Sequence, residues 1–311
     1  MCLASWRLQL NAVFLAVLAL PYLRGLDFAR VRSSVPLLAA SGVSLALHMG
    51  FWVWALHHTS LTHALLLICS TPILLTVLAL LRSQPLSWGE LSGTAAAALG
   101  SALLALGSGT THASSRGGQV GLDGGSSTGP VSPSWQGDLA ALLGAVAAIP
   151  YFTIGQNLRQ WMPVFVYACP VTLVGAVVLA SSSLLFEPVS LLGRQEAGVF
   201  GWVWNFKMTL CVLYLSVVPG IVGHTGLNTL LKYHTPLVLS LALTSESLIG
   251  SAMGWAVGVV ALPGVWTWVG GAVVLASTVA VVLSQHVRER GELKRARSVE
   301  GKLAASWDLE G

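Results

Sequence analysis

The sequence predicts an all-α, polytopic membrane protein made of two inverted repeats, with four transmembrane helices in the first and five in the second. Three observations carry that prediction. Of 311 residues, 54% are apolar and only 9% are charged, whereas an average soluble domain is about 25% charged. Eleven of the 28 ionic residues lie in the last 26 positions, leaving 17 for the first 285. So few charges cannot cover a water-facing surface, which excludes an ordinary cytosolic enzyme, a nucleic-acid binder and a disordered scaffold. The third observation is self-similarity between the two halves of the chain.

A bilayer core needs about 20 apolar residues per helix. Nine spans satisfy this, at 8–23, 35–56, 62–81, 88–108, 135–156, 162–184, 208–231, 236–257 and 265–285. The first follows Arg7 and lacks a small-x-small cleavage site, so it reads as a membrane helix, not a signal peptide. Trp6, Tyr22, Trp88, Trp135, Trp161, Trp202, Tyr233, Trp266 and Trp268 fall near span ends, as an aromatic belt requires. With the C-terminus in the cytosol, twelve of the sixteen Lys and Arg residues lie on the cytosolic side. That asymmetry sets the orientation.

Between the halves, residues 109–134 hold 18 Gly, Ser, Thr or Pro among 26 and read as a flexible linker. The predicted organisation is therefore a first repeat at 1–108, the linker at 109–134, a second repeat at 135–285 and a charged cytosolic tail at 286–311. The four cysteines show neither a disulfide framework nor metal-ligand spacing.

The repeat itself is visible in short junctions. Ala55–Ser60 leads one span into the next, and Leu230–Thr235 does the same 175 residues later. Gly93 and Gly100 are matched by Gly270 and Ser277 at an offset of 177. Repeats with an odd number of helices must be inverted in the membrane. Because Trp6 aligns with Trp161, the partner of span 135–156 is expected before Met1, making this a ten-helix architecture short of its first helix.

These stretches resemble the EamA-type proteins of the drug/metabolite transporter superfamily. The similarity runs over roughly residues 6–285 and rests on the Ala55–Ser60 junction, Pro72 within the following span, and Gly93 and Gly100 in the next. In the second repeat Glu246 fits, while Ser247 replaces a proline and Ser277 a glycine. A glutamate usual before the fifth helix is missing from both repeats, where Arg82–Ser87 and Val259–Gly264 stand instead. The resemblance implies a secondary carrier and says little about its substrate.

Ionisable groups inside spans are costly, so each is a functional candidate. Glu246 lies about ten residues into its span, beside a polar stripe of Ser240, Thr244, Ser247 and Ser251 and nearer the ladder Gly250, Gly254 and Gly258. His224 and Asn228 are four residues apart and share one helix face. His48 lies one residue from Met49, the repeat equivalent of His224. The substrate-binding or proton-coupling candidates are thus His48, His224, Asn228, Thr244, Glu246 and Ser247, with His224, Asn228 and Glu246 expected to face one interior space. Pro219 and Gly220 should loosen their span as a hinge, whereas Glu90 suits a helix N-terminus.

No phosphate-binding loop, nucleophile motif or metal cluster occurs, and no cofactor is implied. The reading is a secondary transporter of a small organic metabolite, working by alternating access as a uniporter or with proton coupling. A membrane-embedded lipid-modifying enzyme using His48, His224 and Glu246 is the alternative, as is a shortened, transport-dead binding protein. The expected partners are a small-molecule substrate and the bilayer. A homodimer is left open, and nucleic acid is not expected.

Overall fold

The computed structural model describes residues 1–114, 134–191, 193, 198–258 and 264–310. The linker expected at 109–134 therefore falls largely outside the described residues. About 85% of the protein is helical, and among the described residues the only β pairing is a single bridge between Ser190 and Gly198.

Helices form where long apolar runs are bounded by capping residues. In order they are α1 (Cys2–Ala19), α2 (Phe28–Ser33), α3 (Val35–His58), α4 (Leu61–Ile68), α5 (Thr71–Leu81), α6 (Trp88–Ser114), α7 (Trp135–Arg159) and α8 (Val164–Phe186). They continue as α9 (Phe206–Leu215), a π-helical segment (Ser216–Thr225), α10 (Gly226–Leu230), α11 (Pro236–Thr244), α12 (Glu246–Ala256) and α13 (Val265–Glu310). Starts are marked by side-chain caps: Asp27 accepts from Ala29 and Arg30, Ser134 from Gly137, and Asn205 from Lys207 and Met208. Each cap satisfies N–H groups that a helix end otherwise leaves open. α12 ends at Val257–Gly258, where Gly258 takes φ +78°, a left-handed conformation suited to glycine.

Seven segments among the described residues are long and apolar enough to cross a membrane: Cys2–Gly25, Val35–His58, His63–Leu81, Trp135–Arg159, Val164–Phe186, Phe206–Leu230 and Val265–Gly291. The chain is a multi-pass helical membrane protein. The two other predicted spans are helical as well, 88–108 within α6 and 236–257 divided between α11 and α12.

Three expectations change and one is refined. α1 starts at Cys2, so Arg7 lies inside the first membrane helix instead of ahead of it. The tail is helical and continuous with the last span, since α13 runs without interruption to Glu310. The span at 236–257 breaks at Ser245, which puts Glu246 at the first position of α12 and not mid-helix. Gly258 lies beyond the end of α12, so the ladder's helical spacing stops at Gly254.

Two compact units result, and they are not the two sequence halves. The first comprises Met1–Leu74 and Gln119–Ser240, and the second Leu75–Gly118 and Leu241–Gly311. The chain crosses from one to the other within α5 and within α11.

In the first unit, α1 packs on α8, and α3 packs on both α7 and α8. Its core gathers Leu15, Leu45, Met49, Phe152, Tyr167, Leu179 and Leu231. Small residues let backbones approach, as expected without a water-driven force between helices. A Cβ on Gly42 would sit 2.6 Å from Val174. In the second unit α6 packs along α13. A Cβ on Gly100 would meet the Gly270 carbonyl at 2.8 Å, and one on Gly270 the Gly100 carbonyl at 2.6 Å.

Candidate functional site

Polar side chains in the interior of a membrane protein must be satisfied by one another, so their clusters mark where a ligand could be handled. The first unit contains one such layer. From α1 it receives Arg7 and Asn11, four residues apart and hence on one helix face. Along that face runs the π-helical segment, where Ser216 donates its hydroxyl to the Arg7 carbonyl at 3.0 Å and Gly220 lies against Asn11. Pro219 explains the segment: it removes a backbone donor and its ring crowds the preceding turn. The wider π winding is the local consequence, and such bulges recur at functional sites. The loosened winding expected at Pro219 and Gly220 takes the form of a π segment ten residues long.

His224 comes from the end of that segment and lies within electrostatic reach of Arg7 and His48. It makes no hydrogen bond among the described residues. His48 projects from α3, its Nδ1 2.8 Å from the Gly144 carbonyl on α7. That bond engages one ring nitrogen and leaves Nε2 available. The Arg7 guanidinium reaches α3 as well, with Nη2 3.9 Å from the Met49 sulfur. Tyr151 on α7, in electrostatic reach of Arg7, donates its hydroxyl to Asn228 Oδ1 at 2.9 Å. Arg159 donates from Nε to the Asn228 carbonyl at 2.9 Å and also bonds the Met162 carbonyl.

Tyr151 and Asn228 are buried, while Arg7, His48 and His224 are half-buried and keep surface that a solute can reach. Asn11 is 2% exposed, and its Oδ1 has no partner among the described residues. Of the sequence candidates, His48, His224 and Asn228 therefore share this layer. Arg7 and Asn11 were not among them. The available signal was the spacing of Arg7 and Asn11, which repeats that of His224 and Asn228.

Glu246, Thr244 and Ser247 do not join them in the first unit. All three belong to the second, where Glu246 is exposed at the start of α12. Thr244 is buried and donates its hydroxyl to the Leu241 carbonyl at 2.6 Å, so it closes the end of α11. Gly250 and Gly254 lie within α12.

The break that carries Glu246 has a counterpart. α4 stops at Ile68 and α5 begins at Thr71. At this break Ser70 donates its hydroxyl to the Leu67 carbonyl at 2.6 Å and Thr71 donates to Ile68 at 2.9 Å. At the other, Ser245 donates to Ala242 at 2.5 Å. At both breaks the backbone N–H of the same serine also bonds that carbonyl, at 3.1 Å, so the chain tightens into an i to i+3 turn in which the hydroxyl is a second donor.

Two further polar junctions lie at helix ends. In the first unit Asp138 of α7 accepts from Thr59 at 2.6 Å and pairs with His63 Nδ1 at 3.1 Å. In the second, Ser87 and Glu90 form a reciprocal cap at the start of α6, and Arg288 of α13 holds the same carboxylate through Nε and Nη2, both at 3.1 Å. The helix-terminal role expected for Glu90 is thus joined by an ion pair to the tail.

A multi-pass helical membrane protein with a polar layer inside one unit is the class that fold and site define. No family model and no curated protein matches the sequence. A solved protein crystal structure is similar in fold, with a TM-score of 0.66 and 18% identity over 91% of this chain and 87% of the other.

Proposed function

We propose that the protein is a secondary transporter of a small organic metabolite, of the EamA type within the drug/metabolite transporter superfamily, and that it works by alternating access. The observation that carries this reading is the pair of helix breaks at Ser70 and Ser245. They are 175 residues apart, the same offset that relates the Ala55–Ser60 and Leu230–Thr235 junctions. Secondary carriers built from inverted repeats use discontinuous helices of this kind, because broken helices can bend and expose backbone groups where a continuous one cannot.

Packing within each unit supports the repeat. A two-fold operation that exchanges Gly93 with Gly270 and Gly100 with Ser277 turns one contact of α6 with α13 into another. A Cβ on Gly93 would meet the Ser277 carbonyl at 3.3 Å, and the exchanged pair is the Gly100–Gly270 approach. In the first unit, α3 runs parallel to α8, with Gly42 at Val174 and Gly50 at Leu179. The π segment runs parallel to α1 in the same sense, with Ser216 at Arg7 and Gly220 at Asn11.

The layer of Arg7, His48, Tyr151, His224 and Asn228 is the substrate site in this reading. The breaks lie a few residues from where the chain passes between units, and they supply the flexible points that alternating access needs. Within this layer His48 and His224 are the side chains able to take up a proton, so in this reading they carry any proton coupling.

Reconstitution in liposomes with a panel of radiolabelled metabolites tests the proposal. Saturable, counterflow-competent uptake of at least one compound is expected. Proteoliposomes no more permeable than protein-free vesicles across the panel would overturn it.

A further inference from the structure

We propose that the end of the first unit where Arg24, Arg30, Arg32 and Lys232 gather is a docking surface for the anionic phospholipid headgroups of the membrane. The inference goes beyond the carrier reading and does not depend on it.

Charge comes first. Three stretches of the first unit meet at this end: 20–34 between α1 and α3, 156–166 around the turn from α7 to α8, and 230–236 after α10. They hold five Lys or Arg residues, namely Arg24, Arg30, Arg32, Arg159 and Lys232, against one acid, Asp27. Arg159 is buried, and its donors serve the Asn228 and Met162 carbonyls. Asp27 caps α2, with Oδ1 accepting from the Ala29 and Arg30 amides at 3.0 and 3.1 Å. The other four cations are exposed, and none forms an ion pair among the described residues.

Local structure holds these charges together. The Arg30 guanidinium lies over the Trp161 ring, 4.3 Å from its centroid, which ties α2 to the turn between α7 and α8. Tyr22 packs against Phe165 with ring centroids 5.7 Å apart, and this brings the 3-10 turn Leu20–Gly25, which carries Arg24, to the same place. Gln160, beside Trp161, donates from Nε2 to the Lys232 carbonyl at 3.3 Å. Four exposed cations with a single carboxylate among them repel one another, so the patch favours anions from outside the protein.

Apolar neighbours then select the source of those anions. Leu20, Tyr22, Leu23 and Phe28 are exposed beside the cations, Phe28 to 63%. Cys2–Gly25 and Val35–His58 are both long and apolar enough to cross the membrane, so residues 26–34 between them lie at its surface. A hydrocarbon core of about 30 Å leaves about 5–8 Å on each side for headgroups. Cations interleaved with exposed rings and aliphatic side chains fit that layer, with charge at the phosphates and apolar groups toward the acyl chains. A soluble anion offers nothing to Phe28 or Leu20. The orientation expected from the Lys and Arg distribution puts this end at the cytosolic leaflet, where anionic lipid is concentrated.

The experiment uses the purified full-length chain, immobilised in phosphatidylcholine mixed micelles, and measures retention of radiolabelled phosphatidylserine or phosphatidylcholine with matched acyl chains. One cation near an anionic surface is worth about fivefold in partition. Phosphatidylserine should therefore be retained with a preference of about tenfold or more, and high salt should lower it, as screening requires. R24Q/R30Q/R32Q should remove most of the preference. K207Q, at the start of α9 and so at the far end of the helical run that leads to Lys232, should keep it. A tail variant, K294Q/R295Q/R297Q, should lose less than the triple variant does. Equal retention of the two lipids overturns the inference, as does a triple variant that keeps the preference or a tail variant that loses as much. Competition by glycerophosphoserine, the same headgroup without acyl chains, as effective as that by phosphatidylserine would overturn the membrane-surface assignment. If the triple variant does not fold, R24Q/R32Q decides, since it leaves the Arg30–Trp161 contact in place; a loss of about tenfold is expected there, and an unchanged preference overturns the inference.

Discussion

Removing the Arg288 guanidinium should destabilise the protein chiefly by stranding Glu90. The Glu90 side chain is 3% exposed, and Arg288 is 22% exposed. The carboxylate accepts from the Ser87 amide at 2.7 Å, the Ser87 hydroxyl at 2.9 Å, and Arg288 twice at 3.1 Å. Breaking a buried pair from one side costs about 3–5 kcal/mol. The two Ser87 donors survive in R288M, so about 2–3 kcal/mol is expected there. E90Q keeps the shape and removes the charge, leaving bonds of neutral strength and a cost of about 1–2 kcal/mol. Arg288 has other interactions, so its single-variant cost does not isolate the pair. The double variant E90Q/R288M does. Unfolding of all four proteins in mixed micelles, followed by tryptophan fluorescence, should give a coupling of at least about 1 kcal/mol. Effects that add within about 0.5 kcal/mol would refute the clamp, since only independent sites add.

Four other outcomes follow from the same structure. G100A and G270A should each cost about 1–3 kcal/mol, because the added Cβ meets backbone at 2.8 and 2.6 Å, whereas G226A, with nothing within 4 Å, should be neutral; micelle unfolding compares them. D138N should cost about 1–2 kcal/mol, because it removes the charge from a carboxylate that Thr59 and His63 engage at 2.6 and 3.1 Å; an unchanged unfolding midpoint in micelles would contradict the junction. S70A and S245A should lower uptake several-fold more than stability, since each hydroxyl closes a carbonyl at a helix break; equal losses in both would assign them to folding alone. A cysteine placed at Ser298 in the tail should react with impermeant maleimide only from the cytosolic face, and labelling from outside would reverse the orientation.

Much of the fold was legible because a bilayer imposes one rule on every residue. An apolar run about 20 residues long with few charges must become a helix, since no other local structure satisfies its backbone in lipid. Hence all nine predicted spans are helical. His224 and Asn228 share a face because helical periodicity is local, and the loosened helix at Pro219 was readable from proline's missing donor. The break at Ser245 was not readable. Leu237 through Ala256 is apolar enough to run straight through, and the Thr244 and Ser245 hydroxyls bond the Leu241 and Ala242 carbonyls where it is interrupted.

The sequence by itself determined helical class, the approximate positions of the membrane segments and the residues whose presence in an apolar run demands a reason. Periodicity and hydropathy depend only on near neighbours along the chain, so a single sequence contains them in full. The tertiary structure alone decided which helices pack together and therefore which polar groups meet. It assembled each compact unit from both halves of the chain. Arg7, Asn11 and Tyr151 were placed beside His48, His224 and Asn228, while Glu246 went to the other unit. Arg288 was carried back to Glu90 across 198 positions. Those pairings depend on close approach at small residues such as Gly42, Gly100 and Gly270, which van der Waals packing selects between helices distant in sequence.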